Sequence, residues 1–104
     1  MSKIIPLRKK EDFERLFKIG RSRKGRFFLL KFAKSENNET RASIIVSKKI
    51  SKLAVVRNRC KRKMREAFRL TDFRKGFDYV LVVLVDISRV DQREVEGDVK
   101  RVFC

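Results

Sequence analysis

Between residues 57 and 65 the chain reads Arg57-Asn58-Arg59-Cys60-Lys61-Arg62-Lys63-Met64-Arg65, six basic residues in nine. Helical periodicity sets this run on a rod. Val56, Cys60, Met64 and Phe68 recur at every fourth position and, with Ala67, fill an apolar arc of roughly 120° at 3.6 residues per turn. Opposite that arc lie Asn58, Arg62, Arg65 and Arg69, with Arg57 and Lys63 along its edges and Arg59 and Lys61 between. A solvated helix face normally alternates acids and bases at i, i+4, whereas here only Glu66 interrupts the cations. Each stacked like-charge pair costs about 0.2–0.5 kcal/mol unless an anion offsets it. Arginine adds bidentate phosphate contacts and stacking on unpaired bases, lysine adds point charge, and Asn58 suits a directional hydrogen bond. The chemistry on offer is phosphate binding.

Parts for bond cleavage are scarce. Histidine is absent, which removes the commonest general base and neutral metal ligand. Cys60 and Cys104 lie far apart with no CxxC spacing, and Cys60 falls on the apolar stripe, where it reads as core and not as a nucleophile. The four glycines form no phosphate-cradling loop. Asp72, Asp78 and Asp86, which a metal-dependent nuclease could use, are scattered singly. No catalytic residue, no metal ligand and no protein-bound cofactor is therefore expected.

The whole chain repeats the message of the helix. In 104 residues, 29 Lys+Arg stand against 13 Asp+Glu, a formal charge of +16. Yet 42% of residues are hydrophobic and nine are Phe, so the composition is that of one folded basic domain over 1–104, not a disordered tail. Such a charge is relieved by a polyanion through counterion release. No run approaches the ~20 apolar residues of a membrane span, and the start lacks the apolar run of a signal peptide. The termini offer no lipidation pattern. A cytoplasmic nucleic-acid binder with no membrane partner is expected.

The elements that must position these residues follow from pattern. Acidic Glu11, Asp12 and Glu14, then Lys18 and Gly20, predict a helix over 9–19 that Gly20 ends in a left-handed stop. Phe13, Leu16 and Phe17 share one face of it; Leu16 reads as core, while Phe13 and Phe17 suit either core or an open face that stacks on bases. Residues 21–26 read as a basic connector. Residues 27–33 form a strand with Phe28, Leu30 and Phe32 toward the core and Phe27, Leu29 and Lys31 exposed. A polar turn over 34–40 would make a hairpin with a strand over 41–47, which delivers Lys48, Lys49 and Lys52 at its end. The helix over 54–70 follows. After a turn at 74–76, the apolar run 79–85 suits a central strand buried on both faces. Asp91 and Glu94, at capping-box spacing, open a last helix with Val95, Val99, Val102 and Phe103 on one face. The fold class is α+β: a small sheet of about four strands covered by helices, in the order α-β-β-(β)-α-β-α.

Arg57-Asn58-Arg59, Lys61-Arg62 and Arg65-Glu66-Ala67-Phe68 together resemble the signature of the protein component of bacterial ribonuclease P. Val46-Ser47-Lys48-Lys49, Asp12-Phe13 with Phe17 and Gly20, and Gly25-Arg26-Phe27-Phe28 extend the likeness over roughly residues 8–85. The resemblance implies a parallel strand pair with a left-handed βαβ crossover. It implies a role in removing the 5′ leader of precursor tRNA, with catalysis by a partner RNA that holds the Mg2+. By the same resemblance, Arg57, Asn58, Arg59, Lys61, Arg62 and Arg65, with Lys48 and Lys49, would meet the catalytic ribonuclease P RNA. Phe13 and Phe17 would line the cleft for the single-stranded leader. Lys31, where the family often has Tyr, would give that cleft a phosphate contact in place of a ring. No protein partner is implied. A structural RNA-binding protein of ribosomal type would share the composition; the motif over 57–68 favours ribonuclease P.

Overall fold

The computed structural model describes residues 5–7 and 9–103 and builds them into three helices on one mixed sheet. In chain order these are β1 (Ile5–Pro6), α1 (Lys10–Ile19), β2 (Arg21–Lys24), β3 (Phe28–Lys34), β4 (Arg41–Ile45), α2 (Ala54–Arg69), β5 (Phe77–Val83) and α3 (Gln92–Phe103). The sheet order is β1-β4-β5-β3-β2.

Strand β5 takes the centre because it is the most continuously apolar segment and needs partners on both edges. It runs parallel to β4 (Ile44 opposite Leu81) and antiparallel to β3 (Leu30 opposite Leu81). The expected β3–β4 hairpin is thus not formed: β5 inserts between the two strands, and α2 supplies the crossover that a parallel pair requires. Residues 35–40 instead bridge the start of β5, where Ser35 N–H donates to Gly76 O at 2.8 Å and Gly76 N–H to Thr40 Oγ1 at 2.8 Å. Gly76, at φ +79°, makes the turn that residues 74–76 predict.

Four further expectations are corrected. Residues 21–24 are not connector but edge strand β2, antiparallel to β3 with Arg21 opposite Phe32 and Lys24 opposite Leu29. All four β2 residues are polar and exposed, so no alternation betrays the strand. Gly20 is extended (φ −71°, ψ 155°), not left-handed. It is small because a Cβ there would lie 2.3 Å from the Leu16 carbonyl oxygen. Phe27, expected outside, is buried ahead of β3, its N–H held at 2.9 Å by Oδ2 of buried Asp98 in α3. With β1 and β2, the sheet has five strands where about four were expected.

The two faces of the sheet are covered differently. On one, Phe28, Leu30, Tyr79, Leu81 and Val83 pack under Cys60, Met64, Ala67 and Phe68 of α2 and Val95, Val99 and Val102 of α3. This is the main core, and it follows the stripes the sequence displays. Helix α3 begins as its spacing predicts, with Arg93 N–H donating to Asp91 Oδ1 at 2.8 Å; Glu94 turns toward Arg26, 4.0 Å away. On the other face, Leu7, Leu16 and Val80 form a small second core under α1.

Candidate nucleic-acid interface

Helix α1 is fixed by charge. Asp78, fully buried in β5, receives Arg41 Nε on Oδ1 at 2.8 Å and Arg41 Nη2 on Oδ2 at 2.7 Å. The same guanidinium reaches Asp12 of α1 through Nη1 at 3.0 Å and Nη2 at 3.3 Å. From the next turn of α1, Arg15 Nη2 donates to Asp78 Oδ2 and Nη1 to Lys34 O at 3.3 Å. Two guanidiniums and two carboxylates therefore bolt α1 across β4 and β5. The hydrogen bonds to Asp78 hold Arg41 above the ordinary arginine range, against the opposing pull of burial. Asp78, which the sequence offers as a possible metal ligand, has its carboxylate occupied by these arginines.

Strand register shows what α1 leaves open. Across its face run the rows Arg41-Asp78-Ala33, Ser43-Val80-Lys31-Ser22 and Ile45-Val82-Leu29-Lys24. Helix α1 covers the first row with Asp12 and Arg15 and packs Leu16 on Val80 in the second. The third row is only partly covered, with Ile45 and Val82 packed against the second core and Lys24 exposed, and exposed Lys48 and Lys49 follow β4. Phe17 is 48% exposed, with Lys31 Nζ of the second row 5.5 Å from its ring centroid. Phe13 is half-buried against the second core, so it contributes less open ring. The structure thus places Lys31 beside Phe17, with Phe13 one turn back along α1 against the second core. It adds Ser22 and Lys24, which sequence reading missed because β2 carries no alternation.

Helix α2 displays the basic motif as its periodicity predicts. Asn58, Arg59, Arg62 and Arg65 are exposed, and Lys61 is half-buried. Arg57 is half-buried and donates through Nη1 to Ser51 O at 2.9 Å, tying the loop before α2 to the helix. Lys63 donates to Val90 O and so anchors the other edge to the segment before α3. A helix joining two adjacent parallel strands runs back along them, so its start lies beyond their C-terminal ends. Cys60 Sγ accordingly sits 3.5 Å from Asp86 Oδ1, just past β5. Burial raises the Cys60 thiol, and Ser88 hydrogen bonds lower the Asp86 carboxyl. Neither residue is set up as a nucleophile or base. Arg57, Asn58 and Arg59, Lys48 and Lys49, and the third row therefore share one end of the sheet. Such an end can neutralise phosphates on one flank and stack an unpaired base on the other. Among the described residues, no three His, Cys, Asp or Glu side chains gather to hold a metal ion. Nor is any described helix long and apolar enough to cross a membrane.

The family described as Ribonuclease P matches residues 1–104. The chain belongs to the ribonuclease P protein family. That match extends past the stretch 8–85 on which the likeness is legible by motif, and takes in α3. A ribonuclease P protein component of a Pseudanabaena species is 38% identical over 101 residues, covering 94% of this chain and 87% of that one. One from an Exiguobacterium species is 38% identical over 104 residues, covering 99% and 90%. Among solved structures, the ribonuclease P protein of Thermotoga maritima superposes with a TM-score of 0.81 at 32% identity, covering 94% of each chain. That of Staphylococcus aureus gives 0.81 at 26% identity, covering 96% and 93%. The ribonuclease P fold is thus common to chains that share about a third of their residues or fewer.

Proposed function

We propose that this chain serves ribonuclease P by holding two RNAs at once: the catalytic RNA on α2 and the 5′ leader of precursor tRNA in the cleft beside α1. The observation that carries the reading is the shared end of the sheet. There Arg57, Asn58, Arg59 and the Lys48–Lys49 loop lie past the C-terminal ends of β4 and β5, while on the α1 face the ring centroid of exposed Phe17 stands 5.5 Å from Lys31 Nζ, on a chain of charge +16. Arg59, Arg62 and Arg65 bind phosphates of the partner RNA, with Arg57, Lys61, Lys48 and Lys49 around them and Asn58 giving a directional contact. Phe17, supported by Phe13, stacks an unpaired leader base, and Lys31 and Lys24 take its phosphates. The protein's work is electrostatic: it lowers the repulsion between two polyanions and so lowers the magnesium their association demands.

Bond cleavage we assign to the RNA and its magnesium ions. The chain's own buried carboxylates do not fit a resident ion. Asp78 is filled by Arg41 and Arg15, and Asp98 by the backbone N–H groups of Arg26 and Phe27 and by Arg101. Reconstitution tests this. Precursor tRNA is incubated at low magnesium with the protein, with a bacterial ribonuclease P RNA, and with both. Cleavage in the combined sample alone is expected; cleavage by pure protein overturns the reading.

A further inference from the structure

The cleft uses only half of the basic run that begins at Arg21. Register with β3 turns Ser22 and Lys24 to the α1 face but Arg21 and Arg23 to the opposite one, beside Phe32 and Leu30. There, at the end of the sheet away from the start of α2, the main core is incompletely roofed. A pocket of about 330 Å3 opens with Phe32, Phe77, Tyr79 and Phe103 as its aromatic walls. Its rim carries three arginines, Arg21, Arg23 and Arg74, against one carboxylate, Asp72.

The walls are ordered. Phe77 stacks on Tyr79 at 6.2 Å and 27°, Tyr79 meets Phe103 at 5.4 Å, and the Tyr79 hydroxyl donates to Arg74 O at 2.6 Å. Arg23 is pinned by its bond to Val102 O at 2.9 Å and lies 5.9 Å from the Phe32 centroid. Arg21 and Arg74 are exposed, and neither forms an ion pair among the described residues. A purely apolar guest would leave this cationic rim uncompensated, and a bare inorganic anion would leave the rings uncovered. The volume lies at the small end of ligand pockets, too narrow for a helix.

We propose that this pocket takes one unpaired ribonucleotide, its base against the aromatic walls and its phosphate on Arg21 and Arg74. The RNA-binding reading above supplies the nucleotide, but the pocket does not depend on the cleft. Two RNAs could provide it: a leader that crosses the β2 edge after Lys31, or an unpaired stretch of the partner RNA.

Tyr79 is the sole tyrosine and tryptophan is absent, so tyrosine emission reports this pocket alone. The full chain is titrated with adenosine 5′-monophosphate, and in parallel with ribose 5-phosphate. Saturable quenching by the nucleotide alone is expected. The double variant Arg21→Ala/Arg74→Ala, both at exposed positions, should weaken it about tenfold, with Arg→Lys recovering part of the loss. Phe17→Ala should leave it unchanged, which separates failure of the pocket from failure of the cleft. No saturable quenching, equal quenching by ribose 5-phosphate, or an undiminished response in the double variant overturns the proposal. With whole RNAs, weaker binding of the double variant only to longer leaders identifies the leader as the source. Weaker binding to catalytic RNA alone identifies that RNA. Unchanged affinity for both overturns the assignment to RNA.

Discussion

Helices α1 and α2 both carry side chains proposed to meet RNA, yet they are held to the sheet by opposite means. Helix α2 lies on its face through Cys60, Met64, Ala67 and Phe68, all buried, and leaves Arg59, Arg62 and Arg65 to solvent. Helix α1 has one fully buried apolar residue, Leu16, and depends on Asp12, Arg15, Arg41 and Asp78. Apolar packing tolerates small shifts, which suits a broad cationic surface meeting many phosphates. A bidentate ion-pair network fixes direction, which suits a wall that must hold one ring at one angle to a base. The arrangement also explains why arginines stand in the interior of so basic a chain: they fix α1 to the sheet.

The contrast predicts the largest effect at Asp78. Asp78→Ala leaves Arg41 and Arg15 part-buried without their shared partner and should cost about 3–5 kcal/mol in denaturant unfolding. Leader affinity should fall with it as α1 shifts. Asp78→Asn, which keeps an acceptor, should lose less. A loss below about 1 kcal/mol for the alanine variant would mean that apolar packing alone holds α1.

Alkaline pH should act on the α2 side and spare the α1 side. Burial pushes Tyr79 from its ordinary 10.0 up to about 12. Below pH 10 both the folded and unfolded chains keep this proton. Between pH 10 and 12 only the unfolded chain sheds it, so the Tyr79 contribution to stability drops by about 1.4 kcal/mol per pH unit. Phenolate absorbance reads the residue directly, and an ordinary midpoint would refute its burial. Arg41, held above its usual range, stays charged throughout.

Next in size is Phe17→Ala. Loss of a stacked base should weaken leader-bearing precursor by about 1–3 kcal/mol and leave mature tRNA nearly unaffected. Equal losses for both would place Phe17 among structural residues. The smallest effect per residue belongs to α2. Arg62→Ala and Arg65→Ala should each flatten the log–log salt dependence of catalytic-RNA binding by about 0.7–0.9. They should leave unfolding unchanged, since both side chains are exposed. An unaltered slope means these arginines do not touch phosphate.

Periodicity made some of this legible and not the rest. The stripe of α2 is written in consecutive turns of one segment, so both its buried side and its cationic side can be read residue by residue. The pairing of Phe13 with Phe17 is equally local. Strand β2 is invisible because an all-polar edge strand has no alternating pattern. The hairpin expectation failed because it assumed that neighbours in sequence pair, whereas the apolar demand of β5 drew it between β3 and β4. Asp78 was legible only as one of three singly scattered acids, just before the apolar run 79–85.

The sequence by itself determined a basic α+β domain, the cationic rod over 57–69 and the aromatic candidates on α1. These depend on interactions between residues a few positions apart and on total charge. Tertiary structure alone decided that Asp78 finds Arg15 across 63 residues and Arg41 across 37. It also decided that β2 supplies Lys24 to one face and Arg21 to the other. Such contacts depend on which strands share an edge, a choice made by burying the whole sheet at once.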